Sequence, residues 1–492
     1  MINEASNLKG DFSSLENGPR SPEDHTLATR HAPLIRFDSR EPFLPSVVGY
    51  TVFREDGSSP SFPRQIALPP GVTQVIEYAI WWDWDIEHLY ELEHIWVHLD
   101  AAEKVVGGEA SWHGNYNAMA DENGQPPLAK GRLVVHSEPG KHAFAPSPQW
   151  LIERKPTTFM SCSRTAGKMG VHVTPLFQDV IHDRTPMNNQ LVHTYLERQT
   201  FEPSYQFSKS FDLKDATFVP WDHLYKWIPT RVTWWTKELA RTIPPHERRG
   251  LRIAHRGASA HAQENSAESM RKALELGADM VEIDIRTTED GLPVVAHDAS
   301  LKRLYEVDVL ISELTLEELQ THTSHNPILT FDEAVALCLD LRLGLYLDIK
   351  ALNERAATSM METLDKYGFV KRTIFGSFRP DYLAEIKAHR PDVVTSILFN
   401  STNVDPVLLA RSIQADYVHP CWESRSDEPH RLLTPEWIER VRAAELGIIC
   451  WHEERPSEIR ALQALGVDGI CSDRPELLIP ANARRFLSEE AV

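Results

Sequence analysis

Eight strand-like apolar runs recur in the second half of the chain, and they alternate with stretches that have helical spacing. The runs occupy residues 251–257, 280–285, 343–350, 372–378, 393–399, 415–419, 447–453 and 467–472. Strands that alternate with helices form parallel sheets, and eight such units in succession are typical of a closed (β/α)8 barrel, the TIM barrel. We therefore predict an α/β TIM barrel over residues 251–482. An open, doubly wound sheet is the alternative, and the near-even spacing of the eight units weighs against it.

The first half of the chain has a different pattern, which predicts a separate and mostly β domain. Between residues 31 and 225, short apolar runs are separated by clusters of Gly, Pro, Asn and Asp, as in a sandwich-like fold. A chain of 492 residues suits two domains, because each can bury its own core. Residues 1–30 are polar and are predicted to be disordered. Residues 226–250 are predicted to form a helix and a linker, and residues 483–492 a C-terminal tail.

Charge and composition argue against several classes of function. The formal net charge of −20 is unfavourable for a nucleic-acid partner, which binds through Lys and Arg. No run approaches the ~20 apolar residues of a transmembrane segment, and the first residues lack the apolar core of a secretory signal. The five cysteines are odd in number and scattered. They indicate reduced thiols and a cytoplasmic location.

Charged side chains are concentrated at the ends of the predicted barrel strands. They are His255 and Arg256 after the first run, Glu282 and Asp284 in the second, Asp348 and Lys350 in the third, and His297 beyond a predicted hairpin turn at Asp290 and Gly291. Any one of them alone would more often form a salt bridge at the barrel rim. Because buried charge is costly without a partner or ligand, charges at three strand ends predict one functional site.

The residue types in this set define a chemistry. Glu282, Asp284 and Asp348 can form an oxygen cage for one hard divalent cation, Mg²⁺ or Ca²⁺. Arg256 and Lys350 are cations that suit a phosphoryl group beside that cage. We expect the two histidines to act as general base and general acid in phosphodiester cleavage, one on the attacking oxygen and the other on the leaving alkoxide.

Aromatic residues near other strand ends could line the same mouth. Trp451 could be a core residue or a wall for a glycerol-like group, and the two readings are evenly balanced. Phe378 and Phe399 lie near further strand ends and would extend an apolar wall that could take a single acyl chain.

Residues 250–480 resemble the glycerophosphodiester phosphodiesterase family. The matching motifs are His255-Arg256-Gly257, Glu264-Asn265, Glu282-x-Asp284, Thr288-x-Asp290-Gly291, His297-Asp298, Val467-Asp468-Gly469 and Asp473-Arg474-Pro475. The resemblance implies a metal-dependent hydrolase with His255 and His297 as acid and base. It also implies a metal on the three carboxylates and a phosphate on Arg256 and Lys350. The sequence departs from the family at Gln263, where proline is usual, and at Asp348, where glutamate is usual.

The N-terminal domain resembles the β-sandwich of necrosis-inducing toxins and related vacuolar-sorting proteins. The resemblance rests on the acidic, histidine-containing stretch from Trp81 to Asp100, the stretch SWHGNY and a later histidine. It implies a metal-assisted binder of a sugar or a lipid headgroup. The candidate ligands are Asp85, His94, His113 and His142, and a solvated polar strand face is an equally good interpretation.

These features predict a phosphoric diester hydrolase that cleaves glycerophosphodiesters to glycerol 3-phosphate and an alcohol. A lysophospholipase D-like enzyme acting on lysolipids is one alternative. A catalytically inactive protein that binds glycans or lipids is another, but such a protein would be expected to lose at least one of the catalytic or acidic residues, and all are present.

Overall fold

The computed structural model describes Leu15 and residues 21–479. The chain separates into two compact units, and the boundary falls between Ile243 and Pro244, with the short segment 185–187 grouped with the second unit. Within the described residues, no helix has the length and apolar character needed to cross a membrane.

The first unit contains two large sheets, which together form a sandwich, and a separate two-stranded sheet of β3 and β4. Its strands are β1 (Leu34–Phe37), β2 (Val47–Phe53), β3 (Gly57–Ser58), β4 (Gln65–Ile66), β5 (Gln74–Trp84), β6 (His88–Leu99), β7 (Val105–Trp112), β8 (Asn115–Ala118), β9 (Leu128–Ala129), β10 (Arg132–Ser137), β11 (Phe144–Ala145), β12 (Gly170–Val171), β13 (Lys209–Asp212) and β14 (Thr217–Pro220). One sheet has the order β14-β2-β5-β6-β7-β8, and the other has the order β11-β10-β1-β13.

Close packing across the two sheets shows that they face each other. A Cβ atom on Gly108 of β7 would lie 2.6 Å from Leu133 Cδ2 of β10. The indole of Trp82 on β5 lies 6.2 Å from the ring of Phe144 on β11. Because a residue with a Cβ would clash at position 108, the sandwich requires glycine there.

Two predictions for the ends of this unit were wrong in part. Helices α1 (Pro22–His31), α2 (Pro148–Ile152), α3 (Lys155–Cys162), α4 (Pro186–Glu197) and α5 (Trp221–Thr242) accompany the sheets. Helix α1 lies in the segment predicted to be disordered, and it orders because it buries Leu27 and Ala28. Helix α5 belongs to the first unit rather than to a linker, since Leu224 packs on Gly49 of β2. The rest of the predicted tails lies outside the described residues.

The second unit is a closed barrel, as predicted. Its strands are β15 (Leu251–Ala254), β16 (Met280–Thr287), β17 (Pro293–Val295), β18 (Gly344–Ile349), β19 (Thr373–Ser377), β20 (Val394–Phe399), β21 (Tyr417–Pro420), β22 (Gly447–Cys450) and β23 (Gly469–Ser472). All except β17 pair in parallel in the order β15-β23-β22-β21-β20-β19-β18-β16, and β16 pairs with β15 to close the ring. Each of the eight predicted runs overlaps one of these strands, and β16 and β21 extend beyond their runs by two residues and one residue.

Helices surround the barrel wall and complete its outer core. They are α6 (Ala267–Glu275), α7 (Lys302–Tyr305), α8 (Leu316–His322), α9 (Phe331–Asp340), α10 (Glu354–Lys366), α11 (Pro380–His389), α12 (Pro406–Ser412), α13 (Pro435–Ala443) and α14 (Pro456–Ala464).

The exception to the parallel pattern of the barrel strands is β17, which returns antiparallel to β16 through the turn at Gly291. This hairpin, which the sequence predicted, carries the chain back towards His297.

Strand alternation divides the barrel residues between two cores. Ile283, Leu347 and Phe375 belong to the cluster between the wall and the helices. Ile253, Met280, Tyr346, Ile374, Leu398, Tyr417, Ile449 and Cys471 belong to a separate cluster inside the barrel. Since residues two apart point to the same side, the next inward positions along β15, β16 and β18 are His255, Glu282 and Asp348. The apolar interior therefore gives way to charge at the C-terminal end of the barrel.

Candidate active site

The His-Arg-Gly segment forms a tight turn where β15 ends. Arg256 and Gly257 both adopt left-handed backbone conformations, with φ of 55° and 79°. A Cβ atom on Gly257 would lie 2.2 Å from Ser269 Oγ, so glycine is required there. The turn aims the Arg256 backbone N–H at Glu282 Oε2, to which it donates at 2.7 Å. The turn therefore links the first strand to the acidic strand β16.

Three carboxylates form a buried cluster at the C-terminal end of the barrel. Glu282, Asp284 and Asp348 are fully buried, and each offers an oxygen within 4.8 Å of the others. The parallel register of β16 and β18 produces this arrangement, because it places Asp284 beside Asp348. Glu282 Oε1 and Asp348 Oδ1 are buried and have no hydrogen-bond partner among the described residues. Orphaned carboxylate oxygens in an all-oxygen cluster fit a hard divalent cation.

The three carboxyl groups differ in electrostatic environment. Burial, together with the charges of Asp284 and Asp348, holds the pKa of Glu282 well above its usual range. Burial also raises the pKa of Asp348 to about 6, against the opposing effect of Lys350. For Asp284, burial is outweighed by Lys350 and Arg256, and its pKa is lowered. Without a cation, Glu282 is the least compensated of the three.

Two cations border the cluster. Lys350 Nζ lies 2.5 Å from Asp348 Oδ2 and 3.1 Å from Asp284 Oδ1. Arg256 Nε lies 3.3 Å from Asp284 Oδ2, and its Nη1 lies 3.2 Å from Glu264 Oε1. The predicted phosphate ligands thus lie beside the predicted metal ligands, as the strand ends suggested.

His255 is a buried histidine held by a carboxylate. It is 5% exposed, and its Nδ1 lies 2.6 Å from Asp473 Oδ1. Burial lowers the pKa of His255 more than the bond to Asp473 raises it. The ring stacks on His452 and meets the edge of Trp451, with ring centroids 4.8 Å and 4.9 Å away. His255 is therefore predominantly neutral near pH 7.

His297 lies at the same mouth in a more open environment. Its side chain is 33% exposed, and its Nδ1 lies 2.8 Å from Asp298 Oδ1. Asp298 also pairs with Arg303. Arg286 Nε donates to the backbone oxygen of His297 at 2.8 Å, which fixes the chain after β17. His297 is close enough to Asp284 and Asp348 to interact electrostatically with both carboxyl groups, although burial still leaves the pKa of Asp348 raised.

The structure brings the predicted barrel residues together, with one exception among the aromatic residues. The ring centroid of Trp451 lies 5.5 Å from Lys350 Nζ and 6.3 Å from the ring centroid of Phe378, so both aromatic rings are at the mouth. Phe399 is buried outside the barrel against Trp422, and its prediction as part of the mouth was wrong. It follows the inward residue Leu398 by one position and so must point outward.

Some residues of the site had no predicted role. Asn265 donates from Nδ2 to Asp284 Oδ2 at 2.8 Å, and Arg286 anchors the His297 backbone. Asp473 binds His255, although the sequence marked it only as part of a motif. Its position two residues after the inward Cys471 is the signal that could have placed it inside the barrel.

The four candidate ligands in the first unit do not form one cluster. Asp85 is fully buried, and it groups instead with His88 and Glu91, with ligand atoms within 4.8 Å. Lys141 Nζ lies 2.7 Å from Asp85 Oδ1, while Asp85 Oδ2 has no hydrogen-bond partner in the described part of the chain. His94 lies next to Ser61 Oγ, at 3.0 Å.

The two remaining candidates are held by separate carboxylates. His113 Nε2 lies 2.6 Å from Glu138 Oε2, and His142 Nε2 lies 3.4 Å from Glu41 Oε1. A metal site in this unit and its resemblance to the toxin-like sandwich stay predictions.

Comparison with known proteins relates the second unit to a family. Residues 255–477 match the glycerophosphoryl diester phosphodiesterase family. The match spans most of the barrel unit, which is similar to that family over this range.

Named relatives cover the same part of the chain. A glycerophosphodiester phosphodiesterase of Caldanaerobacter subterraneus is 28% identical over 46% of this chain and 96% of its own length. Human glycerophosphodiester phosphodiesterase 1 is 31% identical over 30% of this chain and 47% of its own length. A solved glycerophosphodiester phosphodiesterase from Thermotoga maritima is 28% identical, with a TM-score of 0.39, over 46% of this chain and 96% of that protein.

The unequal compensation of the carboxylates predicts opposite effects of two isosteric substitutions on the metal-free protein. Glu282→Gln removes the cost of burying a carboxyl group that must either stay charged without a partner or take up a proton on folding, and it should raise the melting temperature of the barrel by about 2–4 °C, the shift that 1 kcal/mol produces in a domain of this size. Asp284→Asn should lower it, because the substitution leaves Lys350 and Arg256 without their shared partner. Calorimetry in the presence of chelator measures both, and destabilisation by both variants to the same extent would contradict the assignment.

Proposed function

We propose that the barrel hydrolyses glycerophosphodiesters to glycerol 3-phosphate and an alcohol, by acid-base catalysis between His255 and His297. The observation that carries this proposal is a buried carboxylate cluster with orphaned oxygens, bordered by two cations and by both histidines. Similarity to the family supports the reaction class.

Glu282, Asp284 and Asp348 would hold one divalent cation, Mg²⁺ or Ca²⁺. When bound, such a cation supplies charge that stabilises the negative phosphoryl oxygens as the transition state forms. Arg256 and Lys350 bind the same phosphoryl group from the side of the cluster. Because both cations are already held by Asp284, they are oriented before the substrate arrives.

His255 is suited to the role of general base. Its Nδ1 faces an acidic partner, Asp473, while its Nε2 is buried and has no hydrogen-bond partner among the described residues. A neutral imidazole with its proton on Nδ1 accepts a proton at Nε2. It would take that proton from the attacking oxygen, which belongs to water or to a neighbouring hydroxyl of the glycerol group. In the second case a cyclic glycerol phosphate forms as the alcohol leaves, and water must then open the ring to give glycerol 3-phosphate.

His297 is suited to the role of general acid. Asp298 accepts a hydrogen bond from its Nδ1, and a proton on its Nε2 would then be available to the substrate. As the bond from phosphorus to the alcohol oxygen breaks, this proton passes to the leaving alkoxide. The different burial of the two histidines supports the assignment, since the buried one favours the neutral form.

The mouth of the barrel favours a small polar alcohol. A pocket beside His297 is lined by polar Glu264 and Asn326 as well as by Leu301 and Tyr305. Trp451 and Phe378, which do not line this pocket, offer an apolar wall near Lys350, so a lysolipid with one acyl chain is the second candidate substrate. The net charge of −20 is unfavourable for docking on anionic bilayers. The five cysteines are all free and buried, which supports a cytoplasmic location.

The substrate proposal predicts a ranking of phosphodiesters. Glycerophosphocholine should give glycerol 3-phosphate and choline with the highest kcat/KM, lysophosphatidylcholine should follow, and diacyl phosphatidylcholine vesicles should be poor. Phosphorus NMR of the products identifies which ester bond is cleaved. Equal kcat/KM on vesicles and on glycerophosphocholine would instead indicate a lipid phosphodiesterase.

Removal of the cation should abolish hydrolysis. Because the cluster has only oxygen ligands, Mg²⁺ or Ca²⁺ should restore activity after EDTA treatment better than Zn²⁺. Asp348→Glu should keep activity, since it restores the residue that is usual in the family, whereas Asp348→Asn should not. Full turnover in excess chelator would show that the carboxylates do not hold a required metal.

Each histidine should be needed for turnover but not for folding. His255→Ala and His297→Ala should each lower kcat by about 10²–10⁴-fold, the range for loss of a positioned acid or base. His389→Ala, on the exposed side of α11, is the matched control and should leave kcat unchanged. Circular dichroism checks the fold, and near-normal kcat in either active-site variant would require a different role for that histidine.

A further inference from the structure

We infer that Asp473 is the positioning residue of His255, holding the ring in the one tautomer that can accept a proton at the substrate. The inference rests on the proposed function and adds a residue to it. Asp473 follows the last barrel strand, far along the sequence from the motifs that contain the histidines.

The closing of the barrel brings the two residues together. β15 and β23 are parallel neighbours, and Ala254 pairs with Ser472. The next residue on each strand is therefore His255 on one side and Asp473 on the other. The backbone N–H of His255 donates to Ser472 O at 2.9 Å, which fixes this register at the strand ends. Without ring closure the two side chains would be at opposite edges of a sheet.

The Asp473 carboxylate is held from several directions. Its Oδ1 accepts from His255 Nδ1 at 2.6 Å and from Ser259 Oγ at 2.8 Å. Its backbone N–H donates to Glu454 Oε1 at 2.6 Å, and its backbone oxygen accepts from the Ala260 N–H at 3.2 Å. Two hydrogen bonds thus hold the carboxylate at Oδ1 and two more hold the backbone that carries it, so Asp473 can orient the ring that it binds.

An ionised carboxylate only accepts hydrogen bonds, so its partner nitrogen must carry the proton. The bonds from His255 and Ser259 outweigh burial and lower the pKa of Asp473 to about 2, which keeps the carboxylate charged near neutral pH. A neutral His255 ring then has its proton on Nδ1 and its lone pair on Nε2. That Nε2 is buried and has no hydrogen-bond partner among residues 21–479, so the lone pair is left for a bound substrate.

The test is an isosteric substitution that changes only the hydrogen-bonding character. Asp473→Asn can donate from its amide to His255 Nδ1, which would move the ring proton to Nε2 and remove the base. We expect kcat to fall by about 10²–10⁴-fold with KM unchanged within about twofold, since the ring is not a binding group. Asp381→Asn, at an exposed ion pair on α11, makes the same chemical change and should alter neither constant.

A spectroscopic readout separates positioning from a merely structural role. In two-bond ¹H–¹⁵N spectra of histidine-labelled protein, the His255 ring should show its proton on Nδ1 in the wild type and on Nε2 in Asp473→Asn. His255→Ala identifies the signal by its loss. A wild-type proton on Nε2, or an Asp473→Asn variant with kcat within threefold of wild type, would overturn the inference. Because the tautomer is measured without substrate, it decides the matter even if glycerophosphodiesters prove not to be substrates.

Discussion

Mutual repulsion among three buried carboxylates is the constraint on which the second unit depends. Glu282, Asp284 and Asp348 are all fully buried, and charged groups in such positions cost several kcal/mol each unless they are paired. Lys350 and Arg256 compensate Asp284, and Lys350 also compensates Asp348. Neither cation forms an ion pair with Glu282, so this carboxyl group is the least compensated of the three. Under the proposed function, this cost to the stability of the protein alone would be offset when a cation binds.

The two histidines show how one barrel mouth can provide different acid-base environments. Each has a carboxylate on Nδ1, which leaves Nε2 for the substrate. They differ in burial, because His255 continues an inward-facing strand position whereas His297 lies on the hairpin extension beyond β17. Burial disfavours the charged form of His255, and the more open setting and the pairing of Asp298 with Arg303 surround His297 with charge. The two histidines therefore differ in burial and in the charged groups around them.

The first unit has its own buried polar cluster, which the barrel chemistry does not use. Asp85 is buried on the sandwich with Lys141 as its closest cation. Burial and neighbouring acids raise the pKa of Glu91 well above its usual range and that of Glu93 to about 7. His94 and Glu93 are adjacent on β6 and therefore point to opposite faces of the sheet.

The sequence by itself determined the barrel, its eight strands and the residues at its mouth. These follow from local rules. Alternate residues of a strand point to opposite sides of the sheet, so Glu282 points into the barrel and Ile283 points towards the helices. The turn at Gly291 returns the chain towards His297. Only the tertiary structure decided the partners of those residues. The Asp473–His255 pair depends on ring closure between the first and last strands, and the low pKa of Asp284 against the high pKa of Glu282 depends on where Lys350 and Arg256 point. Local pattern carries no information about such contacts, because they join residues that are distant in the chain and are set by three-dimensional packing.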